Sequence, residues 1–172
     1  MKKIICLSIL FLFGFFYVKS QTSKFGVHAG YLNGHVRVIE NNGSASTSDS
    51  GYFLGAFSQF ELSDKIALTP QVDIGSINNN GFGFLSVLFG YYILNDFKVE
   101  AGPQVSYFLE TTPEDVNSLG LDIGFGMSYD ITDKFIISAR YNAELSNRAS
   151  NVDSEDIKAR YNWLLIGLGY SF

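Results

Sequence analysis

Apolar and polar residues alternate one by one through segment after segment of this chain. Phe135, Ile137, Ala139, Tyr141, Ala143 and Leu145 fall on one face, and Ser138, Arg140, Asn142 and Glu144 on the other. Leu119, Leu121, Ile123, Phe125, Met127 and Tyr129 alternate in the same way with Gly120, Asp122, Gly124, Gly126, Ser128 and Asp130. Ile66, Leu68, Pro70, Val72 and Ile74 alternate with Ala67, Thr69, Gln71, Asp73 and Gly75. A period of two puts each set on one side of a β-strand, whereas a helix would repeat every 3.6 residues. Runs of about ten residues are the length a tilted strand needs to cross a bilayer. Soluble sandwiches alternate too. Here, however, the second face carries glycines and ionisable groups while the apolar face is long and aromatic, and nearly every strand candidate repeats the split. The pattern predicts an all-β, antiparallel transmembrane barrel with an up-and-down meander.

Composition narrows the function classes. A length of 172 residues suits one domain. Charged residues make up only 17% of the chain and aromatics 16%, the reverse of a disordered sequence. The net charge is −5 and no basic run occurs, so no nucleic-acid partner is expected.

The N-terminus has the three-part layout of a secretory signal. Lys2 and Lys3 precede an apolar run from Ile4 to Val18, and small Ser20 precedes Gln21. The run is too short for a membrane-spanning helix, so residues 1–20 read as a signal peptide and residues 21–172 as the barrel domain. Cleavage after Ser20 would remove Cys6, the single cysteine. A disulfide-free exported domain needs another source of stability, and a closed hydrogen-bonded barrel in lipid supplies it.

Three short segments mark turns: Glu61 to Ile66, Tyr92 to Phe97 and Tyr129 to Phe135, each with Asp beside Ser, Asn or Thr. Asp64, Asp96 and Asp133 are 32 and 37 residues apart, room for one hairpin and a longer loop. Longer polar stretches lie between them, at Asn41 to Ser50, Ile77 to Gly81, Glu110 to Ser118 and Ser146 to Asp156. Seven connections make eight strands. The facing of the fourth is ambiguous, because Phe84, Leu85, Val87, Leu88 and Phe89 supply apolar residues to both sides.

The last strand carries Leu164, Ile166, Leu168, Tyr170 and a terminal Phe172 in alternation. This resembles the signal that delivers outer-membrane barrels to the barrel assembly machinery. Val99-Glu-Ala-Gly-Pro-Gln-Val-Ser-Tyr107 resembles the "leaGpq-gy" strand of the small porin-like outer-membrane β-barrels, a family that includes PorT-like proteins. Phe25 to Gly30 is similar to that family's first strand, Leu62 to Lys65 to its first periplasmic turn, and Ile166 to Phe172 to its closing strand. The resemblance implies an eight-stranded barrel in the outer membrane of a Gram-negative bacterium, in contact with outer-membrane lipid. The family shares no catalytic set. PorT-like members are implicated in protein secretion, a role to which no residue here can be tied.

The polar face of the strands supplies the candidate site. Glu61, Asp73, Lys98, Glu100, Asp122, Arg140 and Glu144, with Gln59, Gln104 and Asn142, are expected to form a polar network filling the lumen. Lys98 and Arg140 should each meet a carboxylate, because an unpaired ion in a dry interior is costly. An exchange of partners by Arg140 would open a narrow path for ions or small solutes, the alternative to a closed barrel. His28 shares a face with Gly26 and Gly30 and reads as a lumen hydrogen-bonder. His35, with Asp49 in the next loop, is the nearest approach to a hydrolase site, and no enzyme activity is expected. The Ser-rich stretch Asn42 to Ser50 reads as solvated and mobile. Acidic loop residues Glu110, Glu114, Asp115, Asp153, Glu155 and Asp156 lack the spacing of a calcium loop. No metal or other cofactor is expected, and a protein partner is expected to be met through the external loops.

Overall fold

A computed structural model describes residues 23–40, 43–110, 116–149 and 158–172. The proposed signal peptide, residues 41–42 and the acidic positions 114, 115, 153, 155 and 156 lie outside the described residues. Eight strands run in chain order: β1 (Ser23–Glu40), β2 (Gly43–Ser63), β3 (Ile66–Ile77), β4 (Asn80–Leu94), β5 (Phe97–Phe108), β6 (Leu119–Asp130), β7 (Phe135–Glu144) and β8 (Lys158–Ser171). Each pairs antiparallel with its sequence neighbour, and β1 pairs with β8 to close the barrel. Closure gives every strand a neighbour on both sides through the barrel wall, which satisfies the backbone there without water.

The alternation has the expected consequence. Leu54, Val72, Phe125 and Leu168 point outward and are 55%, 57%, 55% and 57% exposed. An apolar wall of this extent suits hydrocarbon, not water. Aromatic residues gather at the short-turn end. Phe25 stacks on Phe172 at 5.9 Å, and Tyr170 meets Phe135 at 5.3 Å and Phe172 at 5.5 Å. Tyr31 and Tyr52 pair across β1 and β2 nearer the other end. Such girdles match the amphipathic character of membrane–water interfaces. The facing of β4 is resolved, with Phe84, Ser86 and Leu88 inside and Leu85 and Phe89 outside.

The ladders shift register beside two of the short turns, between Glu61 and Ser63 in β2 and between Tyr92 and Leu94 in β4, and at two prolines they lose pairs without a shift. Pairing between β2 and β3 skips from Phe57↔Gln71 to Phe60↔Leu68, beside Pro70. Pairing between β4 and β5 skips from Ser86↔Gln104 to Phe89↔Ala101, beside Pro103. A proline has no N–H to give to a ladder.

Two of the four expected long loops are not loops. Ile77 to Gly81 closes as a tight turn, with Asn78 and Asn79 at φ 51° and 67°. Asparagine tolerates the left-handed region, and two such residues in succession make the primed turn that suits a twisted hairpin. The stretch to Ser50, expected as a mobile loop, is instead strand: β1 and β2 stay in continuous register from Ser23↔Phe60 to Glu40↔Gly43. Its small side chains face solvent on both sides, so no apolar face announced the strand. The barrel wall therefore rises high at β1–β2 and is cut low at the β3–β4 turn.

Candidate functional site

The inward residues fall into an ionic stack and an aromatic cluster. Nearest the short turns, Lys98 Nζ lies 2.9 Å from Glu100 Oε1, an ion pair poorly angled for a hydrogen bond. Lys98 donates to Gln59 Oε1 at 2.6 Å, and Gln59 Nε2 donates to Glu61 Oε1 at 2.6 Å and to the Tyr92 hydroxyl at 2.9 Å. Tyr92 in turn donates to Glu61 at 3.1 Å.

Deeper in the barrel, Asp73 on β3 is almost completely buried. Its Oδ2 accepts from Arg140 Nη2 at 2.7 Å, and its Oδ1 lies 2.5 Å from His28 Nε2. Arg140, reaching across from β7, also donates to Gln71 and to Ser86 Oγ at 3.2 Å. Both cations singled out from the sequence thus meet carboxylates, as the cost of burying an unpaired charge requires. The His28 ring is held edge-on by Phe53 at 5.3 Å and Phe57 at 5.5 Å. Gly55 makes room for the pair: a Cβ there would overlap Asp73 Oδ1 and crowd His28 Nε2.

Towards the other end, Gln104 Nε2 donates to Asp122 Oδ2 at 2.8 Å. Glu144 pairs with Arg148, which lies in the polar stretch from Ser146 to Asp156 and is not among the expected lumen residues. Arg148 is 1% exposed and is the most extensively bonded cation described. Its Nε lies 2.5 Å from Glu144 Oε1, Nη1 donates to the Ser118 carbonyl at 2.7 Å, and Nη2 donates to Ser106 Oγ at 2.6 Å. Its guanidinium also sits 4.3 Å from the Phe108 ring centroid. The five donors of a planar fork suit one cation to this many acceptors. Gly120 leaves the space, since a Cβ there would overlap both Arg148 and Glu144. Arg148 stands four residues after Glu144, a spacing that brings side chains together on a helix but signals nothing at the end of a strand.

The expectation of a lumen filled by polar side chains needs correction. Leu32, Phe53, Ile77, Phe84, Phe108, Trp163 and Leu165 form a buried apolar cluster inside the barrel. Trp163 is its hub, with Phe82 at 4.9 Å, Phe84 at 5.1 Å and Tyr161 stacked at 5.7 Å. Ionisable and amide side chains alone do not reveal it, although Trp163 and Leu165 stand on the inward register of β8. Above the cluster a cleft of about 490 Å³ opens at the end opposite the short turns, between the tall β1–β2 wall and the low β3–β4 turn.

Asn142 is fully buried, and neither atom of its amide has a hydrogen-bond partner among the described residues. Leu164, Ile166, Leu168, Tyr170 and Phe172 alternate outward from β8. His35 faces outward opposite Ser48, whereas Asp49 pairs with Gly34 on the inward face. The wall between them separates the two groups a hydrolase would need together.

No protein-family model matches the chain, and no curated protein matches it. Solved structures do. The N-terminal β-barrel domain of OprF from Pseudomonas aeruginosa is 13% identical with a TM-score of 0.51, covering 89% of this chain and 100% of that one. OprG from Pseudomonas aeruginosa is 14% identical (TM-score 0.48; 88% and 97% covered), and Ail of Yersinia pestis is 17% identical (TM-score 0.48; 87% and 99% covered). At this identity the likeness speaks to fold, and the fold is the closed eight-stranded antiparallel barrel found in small outer-membrane proteins.

Proposed function

We propose that the chain is an exported outer-membrane barrel that acts as a closed scaffold for interactions at the cell surface. The observation that carries this is the filled interior. Asp73, Arg140 and His28 span the lumen from three strands, and the Trp163 cluster occupies the section beyond them. A barrel of eight strands has little room beyond its own side chains. Function then falls to the ends, and above all to the long-loop end, which faces outside in barrels of this type.

The finer parts of the reading follow from the sequence. Residues 1–20 act as a cleaved signal peptide, and the outward series from Leu164 to Phe172 serves recognition by the assembly machinery. The PorT-like resemblance supports a place beside other surface or secretion components. The opposite facing of His35 and Asp49 supports a non-enzymatic role.

The test is photo-crosslinking in intact cells from Asn117, an exposed position at the long-loop end, with mass spectrometry of the captured material. A recurrent protein neighbour is expected. Capture of lipid alone would contradict the scaffold reading.

A further inference from the structure

The two ends of the tall wall are treated differently. β8 continues past its last pair with β7, Ala143↔Asn162. The chain itself closes that exposed edge. Arg148 N donates to the Ala159 carbonyl at 2.9 Å, Ala159 N donates to Asn147 Oδ1 at 2.9 Å, and Tyr161 N donates to Glu144 Oε2 at 2.6 Å. At the other end, β2 pairs with β1 as far as Gly43 but with β3 only from Gly51, because the Asn78–Asn79 turn ends β3 at Ile77. Among the described residues, Gly43–Ser50 therefore has a strand neighbour on one side only.

Of the features that normally blunt an edge, this one carries a single charge, the inward-facing Asp49, and none of the others. Gly43-Ser-Ala-Ser-Thr-Ser-Asp-Ser50 contains no lysine and no proline, and its register with β1 has no bulge. Its side chains are small, so another backbone can approach. The cleft lies alongside. Thr47 and Asp49 line it from the edge, Phe82 and Trp163 lie at its floor, and Glu110 stands on its far side.

We infer that the free edge of β2 over Gly43–Ser50 docks an extended peptide segment of another protein. That segment places a bulky apolar side chain in the cleft and basic side chains beside Asp49 and Glu110. A strand added to β2 sends every second side chain to the face of Thr47 and Asp49, directly over the aromatic floor. The cleft's two carboxylates and the acidic chain select basic neighbours for that side chain. A second copy of this chain is a poor occupant. Its own edge would offer only Ser, Ala, Thr and Asp, and would bring Asp49 towards its equal. The inference rests on the scaffold reading and names the site and the form of the partner.

The experiment uses the full mature chain refolded in lipid nanodiscs and the probe peptide Thr-Lys-Thr-Trp-Thr-Lys-Thr, with a fully N-methylated version as control. Both carry the same side chains, but only the first can donate along a strand edge. Amide hydrogen exchange of residues 44–50 and tryptophan fluorescence of the peptide are followed together. The expected result is protection of those amides by the first peptide, with binding at least tenfold weaker for the N-methylated one and for Asp49→Lys. Equal binding of the two peptides, no binding of either, or self-association that protects the same amides without peptide would each overturn the inference. Crosslinking from Asn117 that captures a protein while the edge stays unprotected would sink this site and leave the scaffold reading intact.

Discussion

Asp73 and Arg140 face each other across the barrel interior, 67 residues apart in sequence and 2.7 Å apart at Oδ2 and Nη2. The contact ties β3 to β7, which share no ladder, so it braces the closed cylinder from within. Removing one partner leaves the other charge buried. Arg140→Met is expected to cost about 3–5 kcal/mol in reversible unfolding from detergent. The double variant Asp73→Asn with Arg140→Met should recover most of that loss, since breaking a buried pair is costlier than replacing both members.

Two glycines hold space for ion pairs, and each should resist the smallest possible enlargement. Gly55→Ala intrudes on Asp73 and His28, and Gly120→Ala on Arg148 and Glu144. Each is expected to destabilise by roughly 1–3 kcal/mol through overpacking. Gly43→Ala, with open space around the added Cβ, is the matched control and should change stability little. Urea midpoints of the three variants in the same detergent check this.

How much of this was legible in the sequence depends on which side of the wall a residue faces. The alternating runs in β3, β6 and β7 read directly, because lipid on one side and lumen on the other enforce a period of two. Arg148 did not, because a loop residue is bonded through folding-back that no local pattern records. The Asn78–Asn79 turn was hidden in a polar run whose length suggested a loop, whereas left-handed asparagines close it in two residues. The Gly43–Ser50 strand was hidden for the opposite reason. With solvent on both faces, nothing required apolar alternation. Phe84 and Leu88 could not be assigned a side because the interior at β4 is itself apolar.

The buried amide of Asn142 offers a gain in stability. Its two polar atoms are without partners among the described residues, so an apolar side chain of similar shape removes a desolvation cost. Asn142→Leu is expected to raise unfolding stability by about 1–3 kcal/mol. A loss of stability, or loss of a neighbour crosslinked from Asn117, would mark the amide as needed for more than packing.

The outward face should respond to charge by depth. Val72 and Phe125 lie near the middle of their strands and point out. Val72→Arg or Phe125→Arg is expected to cost about 2–4 kcal/mol in lipid bilayers, while a charge near an interface costs about 0–1 kcal/mol. Ser48→Arg, on the exposed extension of β2, should cost little. Equal effects at all three sites would argue against a lipid belt centred on the strand midpoints.

The closed lumen is the centre of this account, and single-channel recording in a planar bilayer addresses it most directly. Purified wild-type barrel, inserted and held under voltage in symmetric potassium chloride, is expected to show no resolvable openings. Discrete, reproducible conductance steps from the wild-type protein would contradict the account, because ions would then be passing Asp73, Arg140 and the Trp163 cluster.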